Sequence, residues 1–282
     1  MVILLILIFL SVSFPALSAE IYKWKDKDGN LFFSDSPPPS GVDSEIRKFK
    51  EEPSPSQRSN PRVTSPQPKN EMVKVKWTPA QMDLDTQLKL SLTPSEFFAL
   101  VNPSVWTVIS ASSEISPPFA ASPKTVKNIS LGSAVAISEN RLLTNYHVID
   151  ERPYVVVKHR DRFEKAVIIS GDRQTDRCIL SVSNVILKPV KGFRRYDHLV
   201  IGETVYSVGS PKGLENTLGQ GIISGKRDLR ELRLIQTTAQ ISKGSSGGGL
   251  FDNSGNLIGM TTYQMADSES LNFAIAIEDF AQ

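Results

Sequence analysis

Three short apolar runs follow one another within residues 132–157, GSAVAISENRLLTNYHVIDERPYVVV. Each run has the length of a strand, and Gly, Asn, Asp or Pro interrupts the chain between them, as is typical of strands joined by short turns. Runs of the same kind continue towards the end of the chain at 166–169, 204–208, 221–224, 234–237, 249–251, 257–260 and 272–275. Because no helices alternate with them, the sequence predicts an all-β barrel or sandwich.

Two helix starts precede these strands. Thr78-Pro79 and Thr93-Pro94 both place a threonine at the N-cap and a proline at the first helical position. In the second case Glu96 follows the cap by three residues, which is the pattern of a capping box. We therefore expect helices that begin near residues 79 and 94, the second ending before residue 103.

The N-terminal third has a different composition. Residues 1–19 are almost wholly apolar, but the run before Pro15 has only about a dozen residues, whereas a membrane span needs about 20. This pattern predicts a signal peptide and export to a periplasm or cell surface. No Lys or Arg precedes this run, so an uncleaved N-terminal anchor stays an alternative. Residues 20–36 have the pattern of a small β-hairpin with a turn at 28–30, and the Pro- and Ser-rich residues 37–77 are expected to form a disordered linker.

Composition excludes some classes of function. The net charge is +2 and no block of basic residues appears, so nothing indicates a nucleic-acid partner. Cys178 is the single cysteine, so an intramolecular disulfide cannot form, and its apolar neighbours predict a small buried side chain. We expect neither a cofactor nor a metal site.

A glycine-flanked serine and a histidine carry the predicted chemistry. Residues 244–250 read GSSGGGL, in which the glycines let the backbone turn sharply and project the Ser246 hydroxyl, while the amides of Gly244 and Ser246 converge on one point. Such a run alone is also typical of a flexible loop. Of the three histidines, His147 follows a strand in an apolar context, whereas His159 and His198 lie among polar residues, so His147 is the favoured base.

Several ordered segments resemble the trypsin-like serine proteases of the HtrA (Deg) kind. The matching segments are 142–148, 205–214, 221–224, 235–239, 244–248, 257–260 and 272–275, and the resemblance extends from about residue 95 to the end. It implies a chymotrypsin/trypsin-like double β-barrel within a protease domain at 78–282, with a first barrel at about 104–190 and a second at about 198–277. It also implies a Ser-His-Asp triad. The family's PDZ module would begin near residue 277, so we expect this chain to lack it.

The resemblance also suggests the remaining site residues. Asp176 opens Asp176-Arg177-Cys178-Ile179-Leu180, which is similar to the family's Asp-x-Ala-x-Leu, so Asp176 is the expected carboxylate of the triad. Arg177 and Cys178 replace the more common Leu and Ala, and Asp172 is interpreted as a turn residue. Gln240, six residues before the serine, would lie at the base of the substrate pocket and favours a small to medium apolar side chain over Lys or Arg.

Together these observations predict an exported serine endopeptidase that hydrolyses peptide bonds of envelope proteins through an acyl-enzyme intermediate. Its substrates would be proteins or peptides. The alternative is a catalytically silent pseudoprotease that serves as an envelope binding scaffold. The hairpin at 20–36 resembles a short module that follows signal peptides in bacterial envelope proteins, and it could bind an envelope partner.

Overall fold

The structure, a computed structural model, describes residues 22–25, 31–34, 75–115, 129–150, 152–211, 216–229, 232–264 and 272–281. The chain divides into two compact units, residues 1–60 and 61–282. In the first unit, strands β1 (Tyr22–Lys25) and β2 (Leu31–Ser34) pair antiparallel, as the predicted hairpin requires. The predicted signal peptide and nearly all of the predicted linker lie outside the described residues.

The second unit begins with a closed barrel of six antiparallel strands. They are β3 (Val105–Ala111), β4 (Ser130–Ser138), β5 (Arg141–Thr144), β6 (Tyr154–His159), β7 (Arg162–Asp172) and β8 (Arg177–Val182). Hydrogen bonds close the ring in the order β3-β4-β5-β8-β7-β6, so no strand edge of this barrel is left unpaired. Apolar side chains such as Val108, Leu142 and Leu180 fill the interior.

A second closed barrel of six antiparallel strands follows. They are β9 (Thr204–Gly209), β10 (Thr217–Leu229), β11 (Leu232–Thr237), β12 (Gly249–Asp252), β13 (Leu257–Gln264) and β14 (Asn272–Ala276). The order around the ring is β10-β11-β14-β13-β12-β9, and Val205, Ile235 and Leu250 lie in its core. The predicted chymotrypsin-like double β-barrel is confirmed. A 3-10 helix, Ile277–Phe280, follows the last strand.

Helix α1 (Pro94–Val101) confirms the second predicted helix start. The Glu96 amide donates to the Thr93 hydroxyl at 3.3 Å, and the Glu96 carboxylate accepts from the Thr93 amide at 2.9 Å, which completes the capping box. Phe97 is fully buried and stacks on Tyr206 with ring centroids 4.4 Å apart. The helix therefore leads into the first barrel while it packs on a strand of the second.

The helix predicted at Thr78-Pro79 is wrong, because that segment is irregular. Its amides bond to residues far along the chain instead. The Thr78 amide donates to the Ser170 hydroxyl at 2.6 Å, and the Leu88 amide donates to the Asn256 side-chain oxygen at 2.6 Å. Tertiary hydrogen bonds have overridden the local helix preference. As a result, this segment contacts both barrels.

Candidate active site

His147 lies on a one-turn helix, α2 (Tyr146–Ile149), directly after strand β5. Val148 and Ile149 are buried in the first barrel and fix the orientation of this turn. The Asn145 side-chain amide, just before the helix, donates to the Asp176 carbonyl oxygen at 3.1 Å. The local backbone thus holds the imidazole at the edge of the first barrel with its side chain 35% exposed.

Asp176 contacts His147 and also the second barrel. Its two carboxylate oxygens lie 3.0 and 2.9 Å from His147 Nδ1, and one of them also accepts from the His147 amide at 2.9 Å. The Thr262 hydroxyl of β13 donates to the other oxygen at 2.8 Å. Asp176 has a φ of 56°, in the left-handed region that costs a non-glycine residue on the order of 1 kcal/mol. The turn therefore keeps an unfavourable backbone conformation that aims this carboxylate at the imidazole.

The charges of the pair stabilise each other. Burial alone would lower the pKa of His147, but the Asp176 carboxylate, its hydrogen bond and the charge of Asp150 outweigh it and raise the pKa above 6.5. Burial alone would raise the pKa of Asp176, but the contacts with His147 and the Thr262 hydroxyl lower it below 3.8. Asp176 is therefore ionised at neutral pH. Because Nδ1 donates to this carboxylate, Nε2 is the nitrogen left to accept a proton.

Ser246 lies on the glycine-rich loop between β11 and β12. Gly244 and Gly247 on either side have φ values of 98° and 82°, which favour glycine. A Cβ added to Gly247 would lie 2.1 Å from the carbonyl oxygen of Ser133, so no other residue fits there without a backbone shift. The Ser133 amide donates to the Ser246 carbonyl oxygen at 2.8 Å. Strand β4 of the first barrel therefore holds the serine loop of the second.

The hydroxyl of Ser246 donates to the carbonyl oxygen of Thr262 at 2.8 Å. The structure thus brings Asp176 and His147 together, whereas the Ser246 hydroxyl is bonded to a backbone group of β13. Thr262 contacts both parts of the site, since its side chain donates to Asp176 and its carbonyl oxygen accepts from Ser246. Proton transfer from Ser246 to His147 would require the hydroxyl to leave this carbonyl.

The two amides predicted to bind an oxyanion have no partner in the part of the chain that the structure describes. The amides of Ser245 and Gly247, by contrast, both donate to backbone carbonyl oxygens at 2.8 Å. The amides of Gly244 and Ser246 therefore have no acceptor among the described residues, and their role as oxyanion donors stays a prediction.

Gln240 has an exposed side chain, and its carbonyl oxygen accepts from the Ser207 hydroxyl at 2.8 Å. Residues 265–271, which follow β13, lie outside the described residues. The position of Gln240 at the base of a substrate pocket therefore stays a prediction.

Other residues considered in the sequence have structural roles. Asp172 accepts from the amides of Gln174 and Thr175 at 2.9 and 3.4 Å, which confirms it as a turn residue. Cys178 is fully buried, as predicted, and burial raises the pKa of its thiol. His159 contacts the Val105 carbonyl oxygen through Nδ1 at 3.1 Å. Among the described residues, no group of three or more His, Cys, Asp or Glu side chains is placed to hold a metal ion.

Sequence reasoning missed Thr262. It stands beside Thr261 in a strand, and nothing in the sequence separates the two. Thr261 donates its hydroxyl to the Ser245 carbonyl oxygen at 2.7 Å, whereas Thr262 donates to Asp176. A register shift in the β13–β14 pairing falls between Thr261 and Tyr263, and this irregularity is visible only in the folded sheet.

Family models match part of each unit. Residues 132–260 match the family described as Trypsin-like peptidase domain. Residues 8–68, a range that contains β1 and β2, match the family described as Domain of unknown function (DUF4124). In the described part of the chain, no helix is long and apolar enough to cross a membrane.

Curated relatives are serine proteases. The chain is 37% identical over 158 residues to the "Probable periplasmic serine endoprotease DegP-like" of Pseudomonas savastanoi pv. phaseolicola, a match that covers 53% of the chain and 33% of the relative. It is 34% identical over 152 residues to the "Serine protease Do-like HtrB" of Bacillus subtilis, which covers 49% and 33%. The chain thus spans about one third of the length of these relatives.

Solved structures give the same result. An HtrA-type protease, AlgW with tripeptide, has a TM-score of 0.56 and 30% identity, over 66% of this chain and 60% of that chain. The serine endoprotease from Yersinia pestis has a TM-score of 0.54 and 28% identity, over 67% and 64%. Together with the two closed barrels, these matches confirm the resemblance in the sequence. The chain thus carries a domain that matches the trypsin-like peptidase family and has the double-barrel fold of HtrA-type serine proteases.

Proposed function

We propose that the protein is an exported serine endopeptidase in which Ser246 is the nucleophile, His147 the general base and Asp176 the orienting carboxylate. The observation that carries this proposal is the contact of both Asp176 oxygens with His147 Nδ1, at 3.0 and 2.9 Å, next to a glycine-held serine loop. The hydroxyl of Thr262 supports the same arrangement, since it keeps the carboxylate oriented.

In the proposed reaction, the Ser246 hydroxyl turns from the Thr262 carbonyl towards His147. Oγ attacks the carbonyl carbon of the substrate while its proton moves to Nε2, and Asp176 stabilises the imidazolium that forms. The amides of Gly244 and Ser246 donate to the developing oxyanion; one such donor contributes on the order of 3 kcal/mol in comparable sites. The imidazolium then protonates the leaving amine, and water hydrolyses the acyl-enzyme through the same base.

We further propose that the substrates are proteins or peptides of the cell envelope. An HtrA-type protease has been solved with a decapeptide, and curated relatives are described as periplasmic. The apolar residues 1–19 support export of this chain. The uncharged Gln240 favours a small to medium apolar side chain at the cleavage site, and the hairpin unit would bind an envelope partner.

One observation favours a second candidate, a catalytically silent scaffold. The Ser246 hydroxyl is bonded to Thr262 and not to the base. In such a scaffold, this contact would persist when a peptide binds, and the protein would hold the peptide without cutting it.

Labelling with a fluorophosphonate probe, combined with a peptide-library assay on purified protein, separates the two candidates. For the endopeptidase we expect labelling at Ser246 and cleavage of library peptides. Ser246→Ala should abolish labelling and lower turnover by about 10⁴-fold or more. A wild-type protein that is neither labelled nor active would support the scaffold. Unchanged hydrolysis by Ser246→Ala would contradict the assignment of the nucleophile.

A further inference from the structure

Arg177 is a buried charge directly beside the predicted catalytic carboxylate. It follows Asp176, begins strand β8 and is only 8% exposed. A guanidinium in such a place is unfavourable unless its donors are bonded. Its burial therefore requires partners for these donors.

Within the described part of the chain, the Arg177 guanidinium contacts three separate segments. Nε donates to the Thr175 hydroxyl at 2.8 Å, and Nη2 lies 3.5 Å from the Asp172 carboxylate, both within the turn that leads to Asp176. Nη1 donates to the carbonyl oxygen of Asp279 in the C-terminal 3-10 helix. The ring of Trp77 lies over the guanidinium, 4.2 Å from its carbon to the ring centroid. The Asp176 turn, the C-terminal 3-10 helix and Trp77 thus hold the Arg177 side chain in place.

These contacts enclose the turn that carries Asp176. The φ of 56° at Asp176 is unfavourable, and such a conformation persists only where its surroundings fix it. The Thr175 hydroxyl accepts from Arg177 and donates to the Asp172 carboxylate, so the residues before and after Asp176 are tied to each other. The Arg177 side chain thereby closes the turn.

We propose that Arg177 is a positioning residue, whose guanidinium locks the turn around Asp176 and so keeps the carboxylate aligned with His147. It acts through Asp176 and would not itself contact the substrate. This inference rests on the proposed function of the site, which it deepens by naming what sets the geometry of the His-Asp pair.

The same guanidinium connects the turn to the far end of the domain. The Asp279 carboxylate accepts from Arg233 of β11 through Nε at 2.8 Å and Nη2 at 2.6 Å. The Trp77 ring also meets Phe280 edge to face, with centroids 6.3 Å apart. Arg177 therefore ties the Asp176 turn of the first barrel to the C-terminal helix, which is itself fixed to the second barrel.

The test replaces Arg177 by a side chain of similar length that lacks donors. Arg177→Met should lower kcat by about 10- to 100-fold, with KM within about twofold, because small misplacements of catalytic groups have effects of this size. The matched control is Arg141→Met, the same change at an exposed position of β5, which should leave kcat unchanged. Active-site titration with the fluorophosphonate probe corrects each rate for the fraction of folded enzyme.

The direction in which the pKa of His147 changes in Arg177→Met distinguishes a positioning role of Arg177 from an effect of its charge alone. The charged groups that raise the pKa of His147 are Asp176 and Asp150. Removal of a nearby positive charge would by itself raise this pKa, whereas displacement of the Asp176 carboxylate would lower it. We expect the acid limb of kcat/KM, and the NMR titration of His147, to move to lower pH in Arg177→Met.

A second pair of variants covers the case in which Arg177→Met does not fold. Thr175→Val removes the acceptor of Arg177 Nε, and Thr175→Ser keeps it. Thr175→Val should lower both kcat and the pKa of His147, as Arg177→Met does. Thr175→Ser should keep both at their wild-type values. Loss of stability with an unchanged kcat per titrated site and an unchanged His147 titration would overturn the proposal. If the wild-type protein proves inactive, the proposed function fails, but the NMR titration still tests the positioning role.

Discussion

Thr262→Val removes the hydrogen bond by which strand β13 of the second barrel contacts the Asp176 carboxylate. Thr262 is 3% exposed, and its hydroxyl lies 2.8 Å from the carboxylate oxygen. Valine has nearly the same shape, so the substitution deletes the donor and leaves the packing almost intact. The Thr262 carbonyl, which accepts from Ser246, is a backbone group and is retained.

The expected magnitude follows from that contact. A hydrogen bond to a charged group contributes about 1.5–3 kcal/mol, which corresponds to about 10- to 150-fold in rate if it is expressed entirely in the transition state. The hydrogen bond is present in the resting enzyme as well, so only part of its free energy lowers the barrier to reaction. We expect kcat to fall about 10-fold, because the carboxylate can then rotate away from His147 when the imidazolium forms.

Stability should change with a defined dependence on pH. The pKa of Asp176 is lowered in the folded protein, and the Thr262 hydroxyl is one cause. A group with a lowered folded pKa stabilises the fold above its unfolded value of 3.8, and this contribution is lost as pH falls through the folded pKa. Thr262→Val should therefore reduce the free energy of unfolding at pH 7, and the difference from wild type should shrink in acid.

The assay combines peptide hydrolysis, normalised by active-site titration, with urea unfolding at several pH values. Thr262→Ser, which keeps the hydroxyl, is the control and should behave like the wild type. A Thr262→Val variant whose kcat stays within about twofold of wild type, and whose stability difference is the same at pH 7 and in acid, would refute this reasoning.

Two further predictions concern the serine loop and the base. Gly247→Ala should destabilise the protein by at least about 3 kcal/mol in urea unfolding and abolish labelling by the fluorophosphonate probe. The added Cβ would lie 2.1 Å from the Ser133 carbonyl oxygen and 2.4 Å from the Thr144 hydroxyl. A stable variant that is still labelled would show that the loop can relax. The pKa of His147 is raised above 6.5, so its ion pair with Asp176 stabilises the fold fully below pH 6.5 and is lost as pH rises through the folded pKa. The difference in unfolding free energy between wild type and His147→Gln should accordingly decrease as pH rises, and a flat or increasing difference would contradict the pairing.

The features that the sequence predicts well are local. The short apolar runs correspond to strands of the two barrels because a strand needs only a few suitable residues and a turn at each end. The Thr93–Glu96 capping box forms as expected since both partners lie within one helical turn. The Thr78-Pro79 start has the same local features, yet long-range hydrogen bonds keep that segment irregular. Local preference decides only where no stronger tertiary partner competes.

By itself, the chain sequence determines the strands, the glycines that let Ser246 turn and the histidine in an apolar setting, because each depends on a few neighbouring residues. Asp176 followed from family resemblance, since several aspartates lie downstream of His147 and spacing alone cannot choose among them. Only the folded barrels decide that Thr262 donates to Asp176, that the Ser246 hydroxyl bonds to a backbone carbonyl and that Arg177 is buried against Trp77. These contacts join residues 16 to 100 positions apart, and their geometry depends on how the two barrels close and pack.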